Sequence, residues 1–136
     1  MRTFNFFVIF SLLGLVFSAC QKHQENPTIS NDSYDKRLLD SIKKLDSLSF
    51  ANRLTHNFIS QLYADKAVKM AKTLNSSEGY IIAWSAKAKS FPSSFPDSNY
   101  LYLTKALKLS NQANLLTYKP SLLSNLALLY YTANNS

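Results

Sequence analysis

From residue 34 onward, apolar residues recur at a helical spacing, and this spacing constrains the fold more than any other feature of the sequence. The first segment shows it with Leu38, Leu39, Ile42, Leu45 and Leu48. Positions three and four residues apart share one face of an α-helix, whereas a strand alternates every second residue. The 136 residues include only two glycines, which disfavours a β fold rich in turns. The sequence therefore predicts an all-α domain.

Turn-forming residues divide this part of the chain into five predicted helices with short connectors. Residues 75–77 (NSS) separate the second helix from the third, and the Pro- and Ser-rich stretch 92–98 separates the third from the fourth. Asp97 or Ser98 is expected to cap the fourth helix, and Pro120 to open the fifth, because a first turn tolerates proline. The predicted spans are 34–53, 57–74, 79–91, 98–113 and 120–133.

The first twenty residues follow the order of an export signal. Arg2 supplies a positive charge, an apolar stretch covers 4–17, and two small residues precede Cys20, the only cysteine. The apolar stretch is shorter than the roughly 20 residues that a membrane-spanning helix needs. This order predicts a signal peptide over 1–19, read as a short apolar helix during export.

Residues 17–20 (FSAC) resemble the lipobox of bacterial lipoproteins, although that motif usually has leucine where this chain has Phe17. The resemblance implies that Cys20 is the lipid attachment site, and that the mature protein lies in the bacterial cell envelope, on the periplasmic or outer-membrane face. Segment 20–33 lacks apolar periodicity and contains a proline, so it is expected to be a flexible tether. The helical domain then covers 34–136.

An internal repeat with an offset of 39 residues is the most specific signal in the domain. The sequence KAVKMA at 66–71 aligns with KALKLS at 105–110. Self-similarity at a fixed period is typical of proteins built from stacked helical units. The same offset also pairs Trp84 with Leu123, Ala88 with Ala127, and Phe91 with Tyr130.

Both copies of this pattern resemble the tetratricopeptide repeat, whose first helix reads W-x2-L-G-x2-Y and whose second helix keeps an alanine before a bulky residue. The resemblance implies antiparallel helix-turn-helix pairs in a short right-handed solenoid, with the last repeat incomplete. Lys87 departs from the motif, which has an apolar residue there, and the period exceeds the common value of about 34. A generic helical bundle is the alternative. The residues expected to make the repeat packing are Trp84, Ala88, Phe91, Leu123, Leu126, Ala127, Tyr130, Ala67 and Ala106.

No pattern of catalytic or metal-binding residues stands out. His56 has no second histidine at metal-ligand spacing, and Gly79 alone cannot form a glycine-rich phosphate loop. No serine lies in a G-x-S-x-G context. We therefore expect a protein that is not an enzyme and uses no metal or cofactor.

The formal net charge is +7, from 15 Lys and Arg against 8 Asp and Glu. The lysines of the second and fourth helices fall on one side of each helix, namely Lys66, Lys69, Lys72, Lys105 and Lys108. A solvated outer face is favoured over a stripe for lipid head groups or an acidic peptide. Nucleic acid is not an expected partner, because the predicted location is outside the cytoplasm.

Two functions remain open from the sequence. One is a lipid-anchored scaffold for a protein or peptide, similar to the repeat region of bacterial periplasmic sensors, of which this chain would be a truncated member. The other is nutrient capture, similar to starch-binding outer-membrane lipoproteins, with Trp84 as the candidate sugar platform. The fifth helix lacks a partner helix in the repeat. Its uncovered apolar face, expected around Leu122, Leu126 and Leu129, therefore also predicts cover by another chain, including self-association.

Overall fold

In a computed structural model, which describes residues 31–92 and 94–135, all regular structure is helical. The elements are α1 (Asn31–Asn52), α2 (Asn57–Leu74), α3 (Ser77–Ser90), α4 (Pro96–Gln112), a 3-10 turn (Leu116–Tyr118) and α5 (Lys119–Asn134). The predicted all-α class and the five helices are confirmed, and no helix end differs by more than three residues from its predicted position.

The N-terminal predictions fall almost wholly outside the described part of the chain. The signal peptide 1–19, Cys20 and the tether as far as residue 30 lie outside the described residues. Residues 31–33 were expected to belong to the tether, but they form the first turn of α1.

The starts of α3 and α4 differ from the expected ones for local reasons. The backbone N–H of Gly79 donates to the Ser76 hydroxyl at 3.0 Å, so Ser76 caps α3 and the helix begins two residues early. Pro96 opens α4, because its fixed φ suits a first turn. The prediction that Asp97 or Ser98 caps α4 was therefore wrong, and both residues lie inside the helix.

Helices α4 and α5 run antiparallel, as contacts near both ends of their hairpin show. In the α4–α5 hairpin, the Ser110 hydroxyl donates to the Leu115 carbonyl at 2.7 Å beside the turn. At the far end of the same hairpin, the rings of Tyr100 and Tyr130 meet edge to face at 6.0 Å between centroids. In addition, α1 packs against α3, whereas α5 packs mainly on α4 and the 3-10 turn.

The core consists of two clusters that share α3. One cluster joins α1, α2 and α3, through Ile42, Leu45, Ala67, Ala71, Ile82 and Ala83. The other joins α3, α4 and α5, through Ile81, Ala88, Leu103, Ala106, Leu122 and Leu126. Because the neighbouring residues Ile81 and Ile82 enter different clusters, α3 is the central helix of the domain.

Small side chains form the buried face of α2. Ala64, Ala67 and Ala71 are fully buried, and so is Ser60. The counterparts of the three alanines on α4, 39 residues later, are the buried Leu103, Ala106 and Ser110. Small residues at a helix contact let the neighbouring backbones approach closely. The burial pattern of α2 and α4 thus recurs at the offset found in the sequence.

A reciprocal pair of serines closes the α1–α2 contact. The Ser49 hydroxyl donates to the Ser60 carbonyl at 3.0 Å, and the Ser60 hydroxyl donates to the Ser49 carbonyl at 2.8 Å. Both side chains are buried, and a buried hydroxyl is costly unless it is hydrogen-bonded. The pair therefore allows two helices to meet closely while both hydroxyls stay satisfied.

Candidate functional site

One end of α5 is tied to the rest of the domain by Tyr118. The Tyr118 hydroxyl donates to Glu78 Oε1 at 2.5 Å, and the same carboxylate oxygen lies 3.4 Å from Lys43 Nζ. The Tyr118 ring also packs against both core clusters. These contacts hold the beginning of α5 against the beginning of α3 and against α1.

At the other end of α5 a groove of about 360 Å³ opens between α5 and the ends of α1 and α3. The backbone of α5 follows α4 and comes close to the backbone of α3 at few points, which leaves this space open. The residues that line it are Phe50, Arg53, Leu54, Ala88, Lys89, Phe91, Pro92, Asn99, Leu103, Asn125, Leu128, Leu129 and Thr132. This volume is in the range of small-ligand and side-chain pockets, roughly 300–1,000 Å³.

The charged side chains that line the groove are both basic. Arg53 and Lys89 line it, and its described lining includes no carboxylate. The Arg53 guanidinium lies 3.5 Å from the centre of the Phe50 ring and donates to the Phe50 carbonyl at 3.3 Å. Lys89 Nζ is paired with Asp46 at 2.8 Å. Among residues 31–92 and 94–135, Arg53 forms no ion pair, so its charge is available to an anionic group.

Asn99 lines the groove and contains a buried polar atom that is unsatisfied. Its Oδ1 is buried and has no hydrogen-bond partner in the described part of the protein. By the 39-residue offset, Asn99 corresponds to Ser60, and Ala88 corresponds to Ser49. Since alanine has no hydroxyl, the bonds that close the α1–α2 hairpin have no equivalent in the α3–α4 hairpin. Such an atom calls for a functional explanation, because buried acceptors in folded proteins are usually paired.

The predicted packing residues divide into buried and exposed sets. Ala67, Ala88, Ala106 and Leu126 are buried, and Trp84 and Phe91 are partly buried. Leu123, Ala127 and Tyr130 are exposed. They are the counterparts of Trp84, Ala88 and Phe91, which pack beside α4, and none of the described helices follows α5 to cover them. Only Ala88 and Phe91 of the whole set line the groove.

The expectation for the uncovered face of α5 was wrong. Leu122 and Leu126 are buried and Leu129 is partly buried, because this side of α5 faces α4. The uncovered face is instead the one that carries Leu123 and Tyr130.

Two residues noted in the sequence have packing partners. The Trp84 ring lies 5.2 Å from the Tyr80 ring and packs against the second cluster. Lys87, at a motif position usually apolar, is only 9% exposed. Its amine pairs with Asp65 at 2.5 Å and lies 5.0 Å from the Phe91 ring. Its apolar stem is therefore buried while the charge reaches the carboxylate on α2.

The groove residues Phe50, Arg53, Asn99 and Leu128 were not found from the sequence. They belong to no motif. Phe50, Asn99 and Leu128 lie on three different helices, and Arg53 lies in the turn after α1. One signal was present, because extending the offset of 39 to Ser49 and Ser60 exposes their replacement by Ala88 and Asn99.

Comparisons of the chain with family models, with curated proteins and with solved structures find no match. Within residues 31–92 and 94–135, no group of His, Cys, Asp and Glu side chains has the arrangement of a metal site. None of the described helices has the length and apolar character that a bilayer crossing demands.

The contact between Tyr118 and Glu78 predicts a measurable alkaline titration. Burial, the hydrogen bond to Glu78 and the charge of Glu78 raise the pKa of Tyr118 from 10.0 to about 12. The folded state thus favours the neutral phenol. This contribution to stability is complete below pH 10.0 and is lost as the pH rises through about 12.

We expect Tyr118→Phe to remove a tyrosinate absorbance step near pH 12 and to flatten the loss of unfolding free energy above pH 10.0. The matched control is Tyr34→Phe, which removes a tyrosine that is 50% exposed on α1 and should keep that step. If the absorbance step near pH 12 is missing from the parent protein, or persists in Tyr118→Phe, the contact between Tyr118 and Glu78 is contradicted.

Proposed function

We propose that this chain is a lipid-anchored scaffold of the bacterial cell envelope that binds a segment of a partner protein in the groove beside α5. Two features support a tetratricopeptide-like, right-handed stack of helix pairs. Helices α4 and α5 form an antiparallel hairpin, and three of the four buried positions of α2 recur on α4 after 39 residues. A stack of this kind presents an extended binding surface.

The chemistry of the groove carries the proposal. Phe50, Leu103 and Leu129 provide an apolar floor, and Arg53 provides a cation without an ion pair. An extended peptide has one group for each feature. An acidic side chain pairs with Arg53, and an apolar side chain enters the floor. The partner is therefore a peptide segment with acidic and large apolar residues.

No observation favours nutrient capture to the same degree. A sugar platform needs an accessible aromatic face, and the Trp84 ring packs against Tyr80 and the second core cluster. Peptide binding remains the function with a defined site.

A charge-matched peptide pair tests the groove. We expect a short fluorescent peptide with leucine and phenylalanine around one glutamate to bind more tightly than its glutamine counterpart in fluorescence anisotropy. Arg53→Gln should weaken binding of the glutamate peptide roughly five- to thirtyfold and remove the preference, because a charge-assisted hydrogen bond contributes about 1–2 kcal/mol.

The control is Lys69→Gln, which removes the same charge from an exposed position of α2 outside the groove. This substitution should change the affinity for neither the glutamate peptide nor the glutamine peptide. It therefore separates an effect of the net charge from an effect of the charge at the groove. If Arg53→Gln and Lys69→Gln reduced the affinity for the glutamate peptide equally, the groove would not be the binding site.

The lipid anchor is tested separately, in membranes of the native host. We expect mass spectrometry to find the mature chain beginning at Cys20, with a diacylglycerol thioether on that sulfur. Cys20→Ser should abolish the modification and leave Met1 attached. An unmodified parent chain that keeps Met1 would contradict the anchor and leave the groove proposal standing.

A further inference from the structure

The side of α5 that faces away from the groove carries an exposed apolar stripe. We call Leu123, Ala127 and Tyr130 the outer stripe. Leu123 is 44% and Tyr130 is 56% exposed. Residues separated by four and then three positions share one helix face. The groove residues Asn125 and Leu128 lie on another side of the helix, so the two surfaces are separate.

The internal repeat indicates what kind of surface the outer stripe is. Its counterparts on α3 border α4, where Ala88 is 2% exposed in the second cluster and the Phe91 ring stacks on Tyr102 at 6.0 Å. An alanine between two large residues lets a facing helix approach closely while the large side chains fill the space beside it. The outer stripe therefore has the shape of a helix-packing surface.

The composition of α5 favours a second copy of the same chain as the facing helix. Lys119, at its start, is the only charged residue in Lys119–Asn134. Two copies of the outer stripe therefore meet without like-charge repulsion, although each chain carries a net charge of +7. Its order of large, small and large is also self-complementary about a two-fold axis, where the same patch serves both partners.

We propose that two copies of this chain associate through the outer stripe, with α5 antiparallel to its partner α5 and the two-fold axis beside Ala127. Leu123 of one copy then packs on Tyr130 of the other. Tyr100 extends the surface, because its ring contacts Tyr130 and is itself exposed. The grooves of both copies stay open, since they lie on another side of α5.

The size of this contact sets the expected affinity. A helix of 16 residues is about 24 Å long at 1.5 Å per residue. One such face on each partner buries on the order of 1,000 Å² in total, which is the low end for a specific interface. We expect a dissociation constant in the micromolar range, and anchoring on one membrane raises the effective concentration.

Disulfide trapping in membranes of the native host tests whether the two-fold axis lies beside residue 127. In a two-fold dimer, residue 127 meets its own copy within the reach of a disulfide. We expect mild oxidation of Ala127→Cys to give a covalent dimer that reducing agent reverses. The matched control is Leu62→Cys, which is 57% exposed on α2 and lies outside the outer stripe. The parent chain, with Cys20 alone, gives the background.

A dimer band for Ala127→Cys well above both controls supports the proposal. Equal bands for Ala127→Cys and Leu62→Cys mean random collision, and no band above background means that this face does not meet its copy. Either result overturns the proposal. A stronger band for Leu62→Cys overturns it as well and moves the contact to α2.

A charge substitution gives an independent measurement on the detergent-solubilised full chain. Ala127→Glu sets two carboxylates against each other at the axis, so we expect the dissociation constant from sedimentation velocity to rise at least tenfold. Leu62→Glu should leave it unchanged, and circular dichroism should show full helicity in both variants. Peptide affinity in the groove should not change with Ala127→Glu, so failure of the dimer and failure of the binding function remain distinguishable. A parent chain that stays monomeric well above micromolar concentration overturns the dimer.

Discussion

The packing of α3 on two sides at once is the constraint on which the rest of the structure depends. Ile81 and Ile82 are adjacent, yet each enters a different core cluster. Burying a side chain of this size stabilises a fold by about 1.5–3 kcal/mol. Such double packing needs small residues at the helix contacts, which Ala83, Ala86 and Ala88 supply. The α1–α2 and α4–α5 hairpins can therefore pack on opposite sides of α3 without touching each other extensively.

The α1–α2 and α3–α4 hairpins differ where Ser49 and Ser60 of the first are replaced by Ala88 and Asn99 in the second. In the first, reciprocal hydrogen bonds draw α1 and α2 together. In the second, Asn99 keeps an unsatisfied acceptor and the groove lies beside it. Departures from an otherwise consistent pattern are where function is expected, because a local rule is broken there without a gain in stability.

The helices and part of their packing could be predicted from the sequence, because both follow from the spacing of residues along the chain. The period of the apolar residues and the turn-forming residues predicted five helices, and the offset singled out Ala67 and Ala106, which are both fully buried. Which side of α5 is covered could not be predicted from the sequence, because leucines lie on nearly every side of that helix. The link from Tyr118 to Glu78 spans 40 residues and depends on tertiary packing. The groove depends on how α5 lies relative to α3, which no local pattern encodes.

The proposed origin and role of the groove are tested most directly by introducing a serine pair into the α3–α4 hairpin. Ala88→Ser and Asn99→Ser together recreate in the second hairpin the arrangement of the first. In a double-mutant cycle of unfolding free energies, the account predicts a favourable coupling of about 1 kcal/mol between them, with weaker binding of the acidic peptide by the double variant. Additive effects on stability together with unchanged peptide affinity would contradict it.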